Sequence, residues 1–437
     1  MSKITWPGNP AWPGWQRILF RFFFVYFIIY VSPWTWIEFI PHMEPVTSYY
    51  HHLTDELVIQ SNKYIFKQYR ELVMPNGSGD TSYSWISLYL WLLISLLACV
   101  VWTLIDKKNK NYNRIAYWFR ISLRYYVIAV CSWYGIDKLL LLQMPFPNAS
   151  QLATPLGDFL PMRFSWLFMG YSSHYQFFSG LMEVVAGILL LFRKTSTLGT
   201  LLAAAVFGNV MMMNLSYDIP VKLYSTHIFV MCLVLLAFDY KRLIYFFIQN
   251  KQTVPSNLYQ VSFPEKWMRA AKWVLKLGFV YLMVILQTQN SFSYYKEVHS
   301  RTEIHPIKDG VYEVSKFAVN HDTIPYSYAD SVRWNDVIFD KGDGSIKTTD
   351  TIFRQLYRRG YFKYKADTSK NTIEFTKTNW LMQSIPLFKL TYKIPDSNTI
   401  RLYGMIRKDS IFAELKRTSR HFQLAEKQFH WLSEYNR

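Results

Sequence analysis

Five polar side chains sit where apolar ones are expected. Asp137, Lys138, Glu183, Asn209 and His227 interrupt apolar runs long enough to cross a bilayer. Such groups are costly in lipid and mark functional positions by default. Glu183 and His227 are of the types that pass protons, and Asp137 and Lys138 supply a carboxylate and an ammonium group. At about 1.5 Å per residue, Asp137, Glu183, Asn209 and His227 lie roughly 6–10 Å below the outer end of their runs. Similar depth on four helices points to one polar layer and a shared cavity open to the outer face. A structural reading stands beside it. Asp137 and Lys138 are adjacent and must point in different directions, so each can pair with a different neighbouring helix merely to lock the bundle.

No two histidines have metal-binding spacing, so no metal is expected. His51 and His52 are adjacent, and with His42 and His174 they read as surface or substrate contacts. Cys99, Cys131 and Cys232 all lie in apolar runs without a C-x-x-C pair, which argues against a thiol redox centre.

The elements that position these groups follow from hydropathy. Spanning helices need about 20 mostly apolar residues, and seven stretches qualify: 22–40, 85–105, 121–142, 176–192, 197–215, 223–239 and 270–287. Pro33 and Glu38 leave the end of the first one open. With the N-terminus inside, the inner segments hold 15 Lys/Arg in 70 residues and the outer loops 5 in 84. This asymmetry sets a cytoplasmic N-terminus and an exported C-terminal part. The location expected is a plasma (inner) membrane, with the lipid bilayer as the surrounding partner. The formal charge of +18 follows from these basic inner loops and from a C-terminal half with 24 basic and 17 acidic residues. No nucleic-acid motif accompanies it, so no nucleic-acid partner is expected.

Small residues near Glu183 (Gly180, Gly187) and along the next run (Gly199, Ala203, Gly208) permit close helix approach. The run Met211–Asn214 offers a soft wall for a flat ligand, or simple packing. Residues 183–227, EVVAGILLLFRKTSTLGTLLAAAVFGNVMMMNLSYDIPVKLYSTH, resemble the DoxX family of membrane proteins. The shared features are the helical Glu, the LLLFRKT turn, LGTLL, and the NLSYDIPVKLYSTH connection. The resemblance covers a four-helix unit of about 119–240 and carries over Glu183, Asn209, Asn214, Asp218, Lys222 and His227. It implies a quinone- or thiosulfate-linked membrane redox role in some members, hence a quinone as cofactor, and no assigned activity in many. A looser similarity, from the RFFFVYFIIY start, is to vitamin K-dependent carboxylase-like proteins. The loop motif GSGDT (77–81) has glycines for a tight turn and Asp80 or Thr81 to cap the helix beginning near Trp85.

After about 290 the period changes. Segments 311–319, 332–340, 344–350, 371–378, 388–394, 398–406 and 410–417 alternate or are rich in β-formers, with turn signals DKGDGS, IPDSN and RKDS between strands. The glycines of DKGDGS occupy ligand positions of an EF-hand, so the motif reads as a hairpin tip. A small antiparallel barrel or sandwich of six to eight strands is expected, its core closed by the FHWL end. The linker 288–310 carries His299, Arg301, His305 and Lys308.

The expected organisation is therefore an α-helical polytopic bundle plus a C-terminal antiparallel β domain. Its parts are an N-terminal pair of spans with an outer loop 41–84 (1–118), a DoxX-like unit (119–240), a cytoplasmic connection with the seventh span (241–289), and an exported domain (290–437). Catalysis, if present, falls to Glu183, His227, Asp137 or Lys138. Ligand contacts fall to Asn209, Asn214, Asp218 and Lys222. Three functions are compatible: an envelope protein binding a partner through 290–437, a quinone-linked oxidoreductase subunit, and a carboxylase-like or lipid-modifying enzyme.

Overall fold

The computed structural model describes residues 11–40, 42–75, 77, 79–253, 261, 263–300, 306–326, 332–379, 383–427, 429–432 and 434. Arg301, His305 and Ser78 of the GSGDT motif lie outside them. The chain divides into two compact units: residues 1–144 with 172–296, and 145–171 with 297–437.

The first unit is helical. It contains α1 (Gly14–Val31), α2 (Glu44–Ser61), α3 (Ser82–Ile105) and α4 (Asn113–Leu139). The chain then leaves for the other unit, where α5 (Ala149–Leu152) and α6 (Pro161–Tyr171) lie, and returns with α7 (Ser173–Leu191), α8 (Ser196–Ser216), α9 (Lys222–Ala237) and α10 (Tyr240–Phe247). Helix α11 (Lys266–Val280) runs through a π-helical stretch, Tyr281–Leu286, into α12 (Gln287–Ser300). Among the described residues, five helical segments are long and apolar enough to cross a membrane: 14–38, 82–105, 173–191, 196–216 and 266–300. Helix α9 is apolar but shorter. Helix α4 carries Arg114, Arg120 and Arg124 in its first half.

Local chemistry sets the ends of these helices. Helix α1 stops at Val31 because Pro33 follows: the residue before a proline avoids helical geometry, and Ser32 takes φ 41°. Seven residues of the expected first span lie beyond this break, in the 3₁₀ segment Pro33–Phe39. The Thr81 hydroxyl accepts from the Ser84 amide at 3.4 Å and caps α3. Asp80 does something else. Its carboxylate accepts from the Lys222 and Leu223 amides at 2.6 and 3.3 Å, while its own amide donates to the Pro220 carbonyl at 2.7 Å. It caps α9 from a segment 142 residues away, satisfying donors that a helix start leaves open.

Helices α4 and α7 approach most closely at two glycines. A Cβ on Gly180 would meet the Gly135 carbonyl at 2.7 Å and the Lys138 Cβ at 2.7 Å. Only the missing side chain permits that distance. At the end of the bundle where α1 and α4 begin, the buried Arg21 donates to the Tyr112 hydroxyl (2.9 Å), Thr103 (2.8 Å) and the Asp106 carbonyl (3.1 Å). Its charge is thus surrounded by acceptors, as burial requires.

The second unit is built on ten described strands: β1 (Gly310–Val319), β2 (Asp322–Thr323), β3 (Asp336–Asp340), β4 (Asp343–Ile346), β5 (Arg354–Leu356), β6 (Arg359–Asp367), β7 (Thr372–Thr378), β8 (Ser384–Asp396), β9 (Thr399–Ile406) and β10 (Asp409–Arg417). Eight of them form a closed antiparallel barrel, ordered β1-β3-β4-β6-β7-β8-β9-β10 and back to β1, with β2 and β5 paired outside this ring. Closure pairs Phe317 with Ala413 and Val319 with Ile411, leaving no edge in the ring. Tyr312, Phe317, Phe339, Phe362, Phe375, Leu402 and Leu415 fill the interior. The DKGDGS motif is a hairpin tip, with Lys341 and Gly342 at positive φ between paired Asp340 and Asp343.

Two features depart from expectation. Phe429, Trp431 and Leu432 do not close the core: Trp431 is 91% and Phe429 72% exposed. Residues 145–171, expected within the four-helix unit 119–240, pack on the barrel instead. Ser345 donates to Ser150 at 2.8 Å, Ala149 N to Asp340 at 3.1 Å, and Arg163 to the Tyr357 hydroxyl at 2.9 Å. Beneath them the buried Arg359 pairs with Asp336 and donates to Ser345 at 2.8 Å. The short helix α13 (Gln423–Glu426) follows β10.

Candidate functional site

The polar side chains of the bundle do not meet in one chamber. The close contact at Gly135 and Gly180 sets Lys138 of α4 against Glu183 of α7, and the two form an ion pair that is 5% and 0% exposed. Glu183 Oε2 has no hydrogen-bond partner among the described residues. One residue earlier, Asp137 faces another direction and accepts from the Ser291 hydroxyl of α12 at 2.7 Å. Adjacent positions 100° apart on a helix thus serve two different neighbours.

His227 is fixed on both ring nitrogens. Nδ1 lies 2.5 Å from the Leu223 carbonyl, which can only accept, so Nδ1 carries the proton and donates. The Tyr26 hydroxyl then donates to Nε2 at 2.6 Å. Tyr30 stacks on the imidazole, ring centres 4.2 Å apart. Tyr30 meets Tyr126 edge-on at 6.2 Å, and Tyr224 packs against Tyr134 with ring centres 6.1 Å apart. The result is a tyrosine–histidine seam between α1, α4 and α9. His227 stands out in the sequence but its tyrosine partners do not, because tyrosine in an apolar helix carries no distinguishing signal.

The remaining candidates belong to the α8–α9 connection or the surface. Asn209 is exposed on α8. Asn214 is buried, donates to the Val221 carbonyl at 3.4 Å, and its backbone carbonyl accepts from Ile219 at 3.0 Å. Asp218 takes φ 51° and pairs with Lys222 at 2.7 Å. Together with the Asp80 cap, these contacts build a tight turn between two helices. They form no ligand cradle.

The bundle's large cavity lies elsewhere and is lined by none of the groups above. It measures about 1230 Å³ and is bounded by α1 and its 3₁₀ extension, α4, the α7–α8 turn, the end of α9, and α11. Trp36, Ile37, Ile40, Tyr125, Phe279, Leu282 and Met283 give it an apolar, aromatic part. Tyr125 and Phe279 meet edge-on at 4.7 Å. The other part is basic: Arg120, Arg124, Arg193, Lys194, Lys272 and Lys276 line it, against a single acidic residue, Asp239, among the described residues.

Asp239 is already heavily used. It lies 3.8 Å from Arg120 and 3.3 Å from Arg242, and accepts from Thr197 at 2.9 Å. Arg120, Arg124 and Arg193 are close enough to repel one another, and Lys276 feels both Arg124 and Lys272. Two like charges roughly 7 Å apart cost about 2 kcal/mol at an effective dielectric near 20. Aromatic faces offset part of this. Arg120 sits 5.0 Å over Phe238, Arg124 5.4 Å over Tyr125, and Lys276 5.3 Å over Phe192. Arg124 Nε is buried without a hydrogen-bond partner among the described residues. In the sequence these cations form no local motif, because they are spread over three separate segments, α4, the α7–α8 turn and α11.

Comparison with known proteins adds little about activity. No family model matches the chain, and no solved structure matches it. Over 86 residues it is 38% identical to the uncharacterized protein YwoB of Bacillus subtilis (strain 168), a stretch covering 20% of this chain and 56% of YwoB. The chain thus spans about half the length of that relative, and the likeness identifies a related segment without a described activity.

Proposed function

We propose that the protein is a multi-pass membrane protein whose helical bundle holds a membrane-soluble amphiphile in the α1–α4–α11 cavity. The carrying observation is the cavity itself: about 1230 Å³, apolar and aromatic over one part and polar over the other. Ligand pockets typically enclose roughly 300–1,000 Å³ with a few polar groups that fix orientation, so this space suits a molecule with a chain or ring and a polar head. In this reading the membrane is the plasma membrane and the N-terminus is cytoplasmic, as the charge asymmetry of the loops supports. The barrel unit is the exported part and the one suited to a protein partner. The DoxX-like stretch 183–227 supports the bundle assignment, with Glu183–Lys138 and His227 as its internal locks.

A quinone is the second reading. The aromatic walls at Trp36, Tyr125 and Phe279 favour a flat ring, and the DoxX resemblance implies one. The test is to extract the purified full-length protein with organic solvent and identify what it carries by mass spectrometry. Ala271→Trp combined with Gly278→Trp places two indoles in the cavity wall, and at Gly278 a new Cβ meets no atom within 4 Å. The expected outcome is a retained amphiphile in the wild type and loss of most of it in the filled variant. Extracts matching the bulk membrane composition, unchanged by filling, refute the reading.

A further inference from the structure

We propose that the occupant of this cavity is an anionic lipid, one whose phosphoryl headgroup is gripped by Arg120, Arg124, Arg193 and Lys276 while its chains lie along Tyr125, Phe279 and Leu282. The proposal rests on the amphiphile reading and goes beyond it in fixing the charge and the chemistry of the head. Six basic side chains line the cavity and one acidic residue does, so the described lining carries a net charge of +5. Asp239, shared among Arg120, Arg242 and Thr197, is one carboxylate against six cations in the described lining.

The geometry specifies where the anion goes. Arg120 and Arg124 are one helical turn apart on α4, so they project on the same side. Arg193 comes from the α7–α8 turn and Lys276 from α11, which places cations around the space on three sides. Lys276 Nζ is oriented by the Leu191 carbonyl at 3.2 Å. Guanidinium forks match phosphoryl oxygens, often two at a time, and an ammonium adds a point charge. Arg124 Nε is a buried donor without a partner among the described residues. A neutral quinone brings no negative charge to this basic lining, whereas a phosphoryl group supplies both acceptors and negative charge.

The apolar continuation commits the source to a lipid. Trp36, Ile37, Ile40, Phe279, Leu282 and Met283 extend the cavity away from the cations, and a free phosphate would leave that part empty. The basic end is formed by the starts of α1 and α4, the α7–α8 turn and the end of α9. On the positive-inside assignment this is the cytoplasmic side, where anionic lipids concentrate.

The experiment uses the full-length protein in neutral detergent. It is titrated with a phosphatidic acid and a phosphatidylcholine carrying the same brominated acyl chains, with ubiquinone, and with inorganic phosphate as competitor. Quenching of tryptophan fluorescence, from Trp36, Trp118, Trp267 and Trp273 in the lining, reports occupancy by the brominated lipids, and native mass spectrometry reports every species. The expected result is a preference of about tenfold or more for phosphatidic acid. Arg120→Gln with Arg124→Gln abolishes the preference, Arg124→Lys retains most of it, and inorganic phosphate competes weakly. Equal binding of the acidic and zwitterionic lipids, preferential ubiquinone binding, or displacement of phosphatidic acid by millimolar phosphate each overturns the anionic-lipid proposal while leaving the amphiphile reading standing. Retention of no amphiphile at all overturns both.

Discussion

The Lys138–Glu183 pair offers the sharpest test of how the bundle is held together. Both side chains are enclosed, and the pair bridges the glycine contact between α4 and α7. Replacing Glu183 by Gln leaves an ammonium group with no compensating charge; replacing Lys138 by Met leaves a carboxylate in the same state. Breaking a buried pair on one side costs about 3–5 kcal/mol, while replacing both partners with apolar groups of similar volume is often neutral or stabilising. At about 2–4 °C per kcal/mol for a unit of this size, each single substitution lowers the midpoint by roughly 6–20 °C. The double substitution Lys138→Met with Glu183→Met recovers most of it. The assay is built into the molecule, because Cys99, Cys131 and Cys232 are all buried and free. A thiol-reactive fluorophore therefore reports bundle opening during a thermal ramp in detergent. Single losses below about 1 kcal/mol, or a double variant whose loss equals the sum of the singles, refute the claim that the two charges depend on each other.

Two further outcomes follow from the same reasoning. Asp80→Ala removes the cap that α9 receives from a distant loop, which costs about 1–2 kcal/mol; hydrogen exchange at the Lys222 and Leu223 amides accelerates, whereas Asp80→Asn keeps most of the protection, and equal exchange in all three proteins sinks the assignment. In the barrel, the Arg401 hydrogen bond at 2.8 Å holds the Glu414 carboxyl below its ordinary value of 4.5, helped by Ser315. A depressed carboxyl stabilises the fold above its unfolded pKa and loses that contribution as pH falls through the folded one. Barrel stability therefore declines as pH drops below about 4.5, and Arg401→Gln makes the decline shallower. The denaturant midpoint of barrel amide protection, measured from pH 6 to pH 3, checks both slopes; identical slopes refute the link.

Much of the architecture was legible because it depends on local period. Apolar stretches of membrane-spanning length and strands with turn signals at DKGDGS and RKDS arise from residues close in sequence, where side-chain spacing alone dictates helix or strand. Strand β6 is hard to read although Phe362, Tyr364 and Ala366 alternate with Lys363 and Lys365; the lysines face outward, and in RGYFKYKAD the charge obscures a strand that only its ring neighbours β4 and β7 reveal. FHWL was read as core on composition, but whether an aromatic residue is buried depends on room in the interior, and Phe339, Phe362 and Phe375 already occupy it.

The sequence by itself determined which residues are too polar for lipid, which stretches are long enough to cross it, and that a β domain follows. It could not determine partners. Depth along a helix is a function of residue number, but direction around it is a function of neighbours: Asp137 and Lys138 share a depth yet reach Ser291 and Glu183 on different helices. Asp80 caps a helix start 142 residues away, and cations from α4, the α7–α8 turn and α11 gather around one cavity with no motif to announce them. Such convergence comes from packing between segments distant in the chain, as at Gly135 and Gly180, where the missing side chains let α4 and α7 meet and bring Lys138 to Glu183.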